Sequence, residues 1–322
     1  MAGAVVQAIA LTKRYGARTA LADLSFSADQ GDVVGLLGPN GAGKTTTIRL
    51  LTTVLTPTSG DFSVAGHRSN AAEEIRRRIG VLPESGGYPR HQTGRDYLRY
   101  YARLHGIGQR PAGLLADRLL ADVGLDERGR SAISSYSRGM KRRLGIARAL
   151  VNNPAVIFLD EPTIGLDPAG RSQVLGMVRD LARSRGTTVL LSTHTLPEVE
   201  ETCSKVLVLD QGRLQSFGSV RDVIETAMVE PYAQLRVHRD LVARAKEAVA
   251  GLKDFSVEQS DGQLDVLRIT AIASANGRPP MSADLNAALV AVAEAGVPVL
   301  SFEVEGARLS DAFLNMTGGT SW

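Results

Sequence analysis

Apolar positions follow two patterns along the chain, and the change falls near residue 220. Before it, four short runs are apolar at nearly every position: Val33–Leu37, Val156–Leu159, Thr188–Leu191 and Val206–Leu209. Each is β-branched or leucine-rich and bounded by Gly, Asp, Pro or Ser, as expected of strands covered on both faces. Helical spacing fills the stretches between them. The pattern predicts an α/β core, a mostly parallel sheet with helices on both faces. Val5–Ala10 and Ala20–Ala28 alternate weakly and are joined by Tyr15-Gly16-Ala17, which predicts an antiparallel β edge layer. From about Tyr97 to Leu150 the spacing is helical with no strong strand, predicting an inserted helical subdomain at about 86–150.

After Val220 the periods are shorter. Tyr232–Val237 alternates as a strand, and Leu241, Ala245, Ala248, Val249 and Leu252 share a helical face. Phe255 and Val257 start a second strand, Asp261-Gly262 is a hairpin-turn signal, and Leu264–Ile269 returns. Leu285, Leu289 and Val292 mark another helix, and Leu300, Phe302 and Val304 a fourth strand. The order βαββαβ is a split βαβ arrangement in a small α+β domain. Ser310 is expected to cap a last short helix through Phe313 and Met316. The boundary is expected near residues 222–230, giving domains of 1–225 and 230–322.

Length and charge add exclusions. The chain has 322 residues, enough for two domains, and 43% are hydrophobic against 22% charged, which allows a sizeable core. The formal charge of +3 gives no strong field, so a nucleic-acid partner is not expected. The single cysteine, Cys203, forms no intrachain disulfide and reads as a small semi-buried side chain rather than a reactive thiol. No run of about 18 uncharged apolar residues is present, and Ala287–Leu300 is interrupted by Glu294 and Pro298. Met1–Leu11 has no secretory pattern, so a cytosolic location is the expectation.

The chemistry concentrates where the buried strands end. Directly after the first comes Gly38-Pro39-Asn40-Gly41-Ala42-Gly43-Lys44-Thr45-Thr46, a match to the Walker A pattern GxxxxGK[ST]. Glycines let successive N–H groups point into one concavity that holds phosphate oxygens, and the following helix adds its positive end. Lys44 suits the β- and γ-phosphates and the Thr45 hydroxyl suits Mg²⁺. A chance glycine-rich turn is the alternative, but the strand before and the helix marked by Ile48, Leu51, Val54 and Leu55 supply the required context. The loop alone indicates a nucleoside triphosphate without choosing among ATPase, GTPase and kinase. The second strand ends in Asp160-Glu161, where Asp160 suits Mg²⁺ and Glu161 an attacking water; helix capping is the alternative. Upstream, Tyr136-Ser137-Arg138-Gly139-Met140 reads as a helix capped by Ser137, and such an N-terminus is also an anion site.

Taken in order, these motifs resemble the ATP-binding cassette (ABC) ATPase family over about residues 1–225. The matching positions are Tyr15, Gly38 to Thr46, Glu84, Tyr136 to Met140, Asp160-Glu161, Gly165-Leu166-Asp167 and His194. Two positions depart from the family pattern. Arg138 replaces the first glycine of the usual Leu-Ser-Gly-Gly-Gln signature, and Glu84 replaces the usual glutamine. A guanidinium is favourable near phosphate, and a carboxylate is a legitimate hard ligand.

The resemblance implies a P-loop ABC core with residues 230–322 as an accessory domain. It implies two copies closing head to tail over two ATP molecules with Mg²⁺. Tyr15 would stack on adenine, and residues 38–46 would hold the phosphates. Ser137, Arg138, Gly139 and Asp167 would complete the nucleotide site. Thr45, Glu84 and Asp160 would serve the metal, and Lys44, Glu161 and His194 the reaction. It further implies an ATPase that powers a membrane transporter through a separate polytopic permease, at the cytoplasmic face of the membrane. The texture is similar to subunits that drive export of a drug, antibiotic or lipid-like substrate. The alternative is a soluble ABC ATPase acting on the ribosome or nucleic acid. Those usually carry two cassettes or a long coiled coil, whereas this chain has one cassette and no heptads. A GTPase is disfavoured because no Asn-Lys-x-Asp motif occurs.

Overall fold

The computed structural model describes residues 4–226, 232–252, 254–259, 265–271, 285–305 and 309–316. It contains two compact units, Met1–Val220 and Arg221–Trp322.

The strands of the first unit are β1 (Val6–Tyr15), β2 (Arg18–Ala28), β3 (Val33–Leu37), β4 (Ser59–Val64), β5 (His67–Arg68), β6 (Ile79–Leu82), β7 (Val156–Asp160), β8 (Thr188–Thr193), β9 (Lys205–Asp210) and β10 (Arg213–Ser219). They form one ten-stranded sheet in the order β5-β4-β1-β2-β10-β9-β3-β8-β7-β6. Its centre, β9-β3-β8-β7-β6, is parallel throughout. The β1, β2, β4 and β5 layer is antiparallel, as the weak alternation of its first two strands predicts.

The four apolar runs are β3, β7, β8 and β9. Every residue of β3, β7 and β8 is buried. Successive side chains of a strand point to opposite faces, so β3, β7 and β8 each feed two cores. Val33, Ile157, Leu159, Val189 and Leu191 join the cluster that includes Leu98, Leu119, Leu144 and Val178. Val34, Leu36, Val156, Phe158 and Leu190 join Ile48, Leu50, Ile75 and the edge-layer residues Leu11, Leu21 and Leu24.

The helix after β3 spans Lys44–Leu51. It is shorter than its apolar spacing predicts: Val54 lies beyond its end and is exposed. The helical segment contains Gly94–Leu104, Gln109–Asp122 and Arg138–Ala149. Thr93 caps the first by accepting the Asp96 N–H. Arg148 ties the last to the sheet, donating to the Val81 carbonyl at 2.8 Å and to the Tyr97 hydroxyl at 3.2 Å.

In the second unit β11 (Tyr232–Val237), β12 (Phe255–Gln259), β13 (Val266–Ala271) and β14 (Val299–Glu305) form a sheet in the order β12-β13-β11-β14. All its pairings are antiparallel. Helices Val242–Ala250 and Asn286–Glu294 fall between β11 and β12 and between β13 and β14, giving the expected βαββαβ order. Leu235, Val249, Leu267, Ile269 and Val292 share its core. The Asp261-Gly262 turn and Leu264 lie outside the described residues. Ser310 sits inside the helix Leu309–Met316 rather than at its cap.

Candidate nucleotide site

The loop 38–43 leaves the carboxyl end of β3 within the sheet and runs directly into the Lys44–Leu51 helix. The loop depends on its glycines, and Gly41 has φ +86°. Gly43 has φ +107°, a left-handed conformation that L side chains rarely adopt. A Cβ on Gly38 would run into the Leu209 carbonyl oxygen of β9. Lys44 is buried and donates to the carbonyls of Gly38 at 2.6 Å and Pro39 at 3.2 Å. Burial pulls the Lys44 pKa down, opposed by Glu161 and Asp160.

Sheet register brings the acidic pair to this loop. Asp160 ends β7 opposite Ser192 of β8. The Ser192 hydroxyl donates to Asp160 Oδ1 at 2.6 Å and accepts the Glu161 N–H at 2.9 Å. Thr45 Oγ1 donates to the same Asp160 oxygen at 3.2 Å. Glu161 has φ +48°, a costly conformation outside glycine, held here by the bond from its N–H. Its Oε2 lies 3.0 Å from His194 Nδ1 and its Oε1 lies 3.8 Å from Lys44 Nζ. Burial pushes the Glu161 pKa up, while His194 and Lys44 pull it back. A carboxylate poised between burial and two nitrogen bases suits a general base.

Of these groups Lys44, Thr45, Glu161 and His194 line one cavity of about 270 Å³, with Pro39 to Gly41, Gly43, Thr46 and Glu84 among its other walls, while Asp160 and Ser192 lie behind that lining. Tyr15 stands apart from that lining. It is half-exposed at the end of β1, with Lys13 Nζ 5.2 Å from its ring centre. A second cavity, of about 890 Å³, is lined by Ser137, Arg138, Gly139 and Gly165 to Asp167, among others. Ser137 caps its helix, accepting the Met140 N–H at 3.2 Å, and Asp167 caps the helix Pro168–Arg185 by accepting that of Gly170. No residue lines both cavities. The predicted site residues that line a cavity are therefore divided between two places on one chain.

Two participants escape sequence reasoning. Ser192 is an ordinary serine in Ser192-Thr193-His194 until β7 and β8 pair. Glu198 reads as a helix acid, but it is buried and accepts from Thr163 and Thr193. Cys203 is half-buried, and burial of its thiol pushes the pKa up, so it is not a reactive thiol.

The ABC transporter family profile matches residues 21–164. A daunorubicin resistance ATP-binding protein, DrrA3 of Streptomyces coeruleorubidus, is 35% identical over 99% of this chain and 97% of its own length. The chain belongs to the ABC transporter ATP-binding proteins. The linearmycin resistance ATP-binding protein LnrL of Bacillus subtilis (strain 168) is 31% identical over 98% of this chain and 99% of its own. Among solved structures, an ATP-binding subunit of an ABC transporter is 30% identical with a TM-score of 0.62, covering 69% of this chain and 92% of that one. As a family member this ABC protein binds ATP and is an ATPase.

Proposed function

We propose that two copies of this chain close over two ATP molecules and drive a separate membrane permease that exports a drug, antibiotic or lipid-like substrate. The observation carrying this reading is the division of the site. The phosphate-cradling cavity holds Lys44, Glu161 and His194, while Ser137, Arg138, Gly139 and Asp167 line another cavity of the same chain. A head-to-tail pair lets the second set of one copy complete the first set of the other.

In such a pair, the amides of residues 38–46 cradle the phosphates and Tyr15 swings onto the adenine. Lys44 exchanges its Gly38 and Pro39 carbonyls for the β- and γ-phosphate oxygens. Glu161 takes the proton of the attacking water, and His194, already against Glu161, orients it. Thr45, Asp160 and Glu84 suit Mg²⁺: they are hard oxygen donors, and two of them already meet at 3.2 Å. Among the described residues no group of three or more His, Cys, Asp or Glu is arranged for a metal, so the remaining ligands would be phosphate and water. Held there, Mg²⁺ would supply positive charge against the phosphates.

The export reading rests on the full-length likeness to resistance proteins for daunorubicin and linearmycin. No described helix is long and apolar enough to cross a membrane, which fits work done through a partner at the cytoplasmic face. Affinity purification of the tagged chain from gently solubilised membranes tests this. Recovery of a multi-span permease is the expected outcome, and recovery of ribosomal or nucleic-acid components alone overturns it. The pairing is tested by sizing Glu161→Gln with and without ATP. A dimer that appears with ATP is expected, and a monomer at saturating ATP with the permease present excludes it.

A further inference from the structure

Glu198 lies in the first turn of the helix Leu196–Thr202 and is 2% exposed. A carboxylate so far from water needs donors, and its donors come from separate segments. Thr163 Oγ1 donates to its Oε2 at 2.9 Å, and Thr193 Oγ1 donates to the same oxygen at 2.8 Å. The Nε of Arg171 lies 3.4 Å from its Oε1, an ion pair without hydrogen-bond alignment. The Thr193 hydroxyl also accepts the Thr195 N–H at 3.0 Å.

The partners stand in telling places. Thr163 follows the strained turn at Glu161 by two residues. Thr193 and Thr195 flank His194, so both sides of that histidine are anchored to the Glu198 network. Arg171 lies one helical turn beyond Asp167, which lines the cavity around Ser137. One buried carboxylate thus joins the end of β7, the end of β8 and the helix that follows Asp167. A polar network of this kind is a poor way to gain stability, since apolar side chains of the same volume often do as well. What it gives instead is a fixed geometry, and the geometry it spans is the 3.0 Å contact of His194 Nδ1 with Glu161 Oε2.

We propose that Glu198 is a positioning residue that holds His194 in register with Glu161 and couples that contact to the segment 163–171. The proposal rests on the reading of Glu161 and His194 given above. Glu198 does not line the phosphate cavity and acts through the two threonines.

The test is steady-state ATP hydrolysis by the full-length chain, with its permease where one co-purifies. Glu198→Gln is expected to lower kcat about tenfold or more while the KM for ATP stays within about twofold, as expected of a misplaced catalytic group. In a His194→Ala background the same change is expected to cost less than about twofold, because the group it positions is gone. An equal loss in both backgrounds, or a KM that rises in step with the fall in kcat, overturns the proposal. Thr163→Val and Thr193→Val remove one donor each while keeping side-chain volume. They take the same pair of measurements if Glu198→Gln fails to fold, and the same outcomes decide. A second readout needs no hydrolysis. With the five histidines ring-labelled, the His194 resonance is expected to shift in the nucleotide-free Glu198→Gln chain while the others hold, and an unmoved resonance overturns the proposal. A wild-type chain that fails to hydrolyse ATP would instead count against the proposed function, leaving the resonance to decide the role of Glu198.

Discussion

The two units of this ABC protein use burial differently. In the first, Lys44, Asp160, Glu161 and Glu198 are all buried, with Thr163, Ser192 and Thr193 among them. In the second, every buried side chain among the described residues is apolar. Both sheets pack against apolar cores, so neither needs buried charge in order to fold. Removing a charge from water costs several kcal/mol unless partners replace the hydration. The first unit supplies those partners at the carboxyl ends of parallel strands, where β3, β7 and β8 deliver their last residues side by side. An antiparallel sheet such as that of the second unit sends alternate strand ends to opposite edges and forms no such gathering.

The contrast can be broken by mutation. The largest effect is expected for Glu161→Gln, which removes the proposed general base. Its kcat should fall on the order of 10²–10⁴-fold while ATP binding is retained, read by single-turnover hydrolysis beside nucleotide titration. Next comes Leu235→Ala in the second unit, a core truncation expected to cost about 2–5 kcal/mol in that unit's stability, read by denaturant melting. ATP binding by the cassette should persist; loss of binding would show that the two units cannot be treated apart. His194→Ala is expected to lower kcat about tenfold to a hundredfold, and its pH profile carries the sharper prediction. As the proposed general base Glu161 would work as the carboxylate, so the rate should fall as pH drops through its pKa. Burial raises that pKa and His194 lowers it. Removing His194 should therefore move the acid limb to higher pH. The smallest effect is expected for Arg138→Gly, which restores the usual signature residue. Arg138 is exposed and rests against Gly165, so ATPase should change by less than about threefold.

Much of the cassette is legible in its sequence because its signals are local. The runs of β3, β7, β8 and β9 are apolar at consecutive positions, and a Gly-rich loop followed by Lys44-Thr45 reads without a partner. Strands β6 and β10 are missed for opposite reasons. Ile79–Leu82 is only four residues long and follows the charged helix Ala72–Arg78 directly. Arg213–Ser219 is half-exposed and carries no run of apolar residues. In the second unit the alternation of β11 and β14 sufficed for the element order, while Ser310 misled because a serine in the first helical turn resembles one at the cap.

The candidate site divides in the same way. Lys44, Thr45, Asp160, Glu161, His194 and the capping Ser137 can be named from order and spacing, because each sits at a strand end or helix start that its neighbours announce. Their mutual geometry cannot. Asp160 meets Ser192 only because β7 and β8 pair in parallel register, and Glu198 becomes a buried acceptor only when three distant segments converge on it. Tyr15 carries the right residue type at the right place in the chain, yet stands outside the phosphate cavity, since its position depends on how the edge layer meets the core. The sequence by itself determined which residues are candidates for the chemistry and which strands are buried, since both are written in short-range pattern. Which groups touch, which charges lose their water, and that the candidate residues line two separate cavities of one chain were decided by strand order and register, which act across more than a hundred residues of sequence.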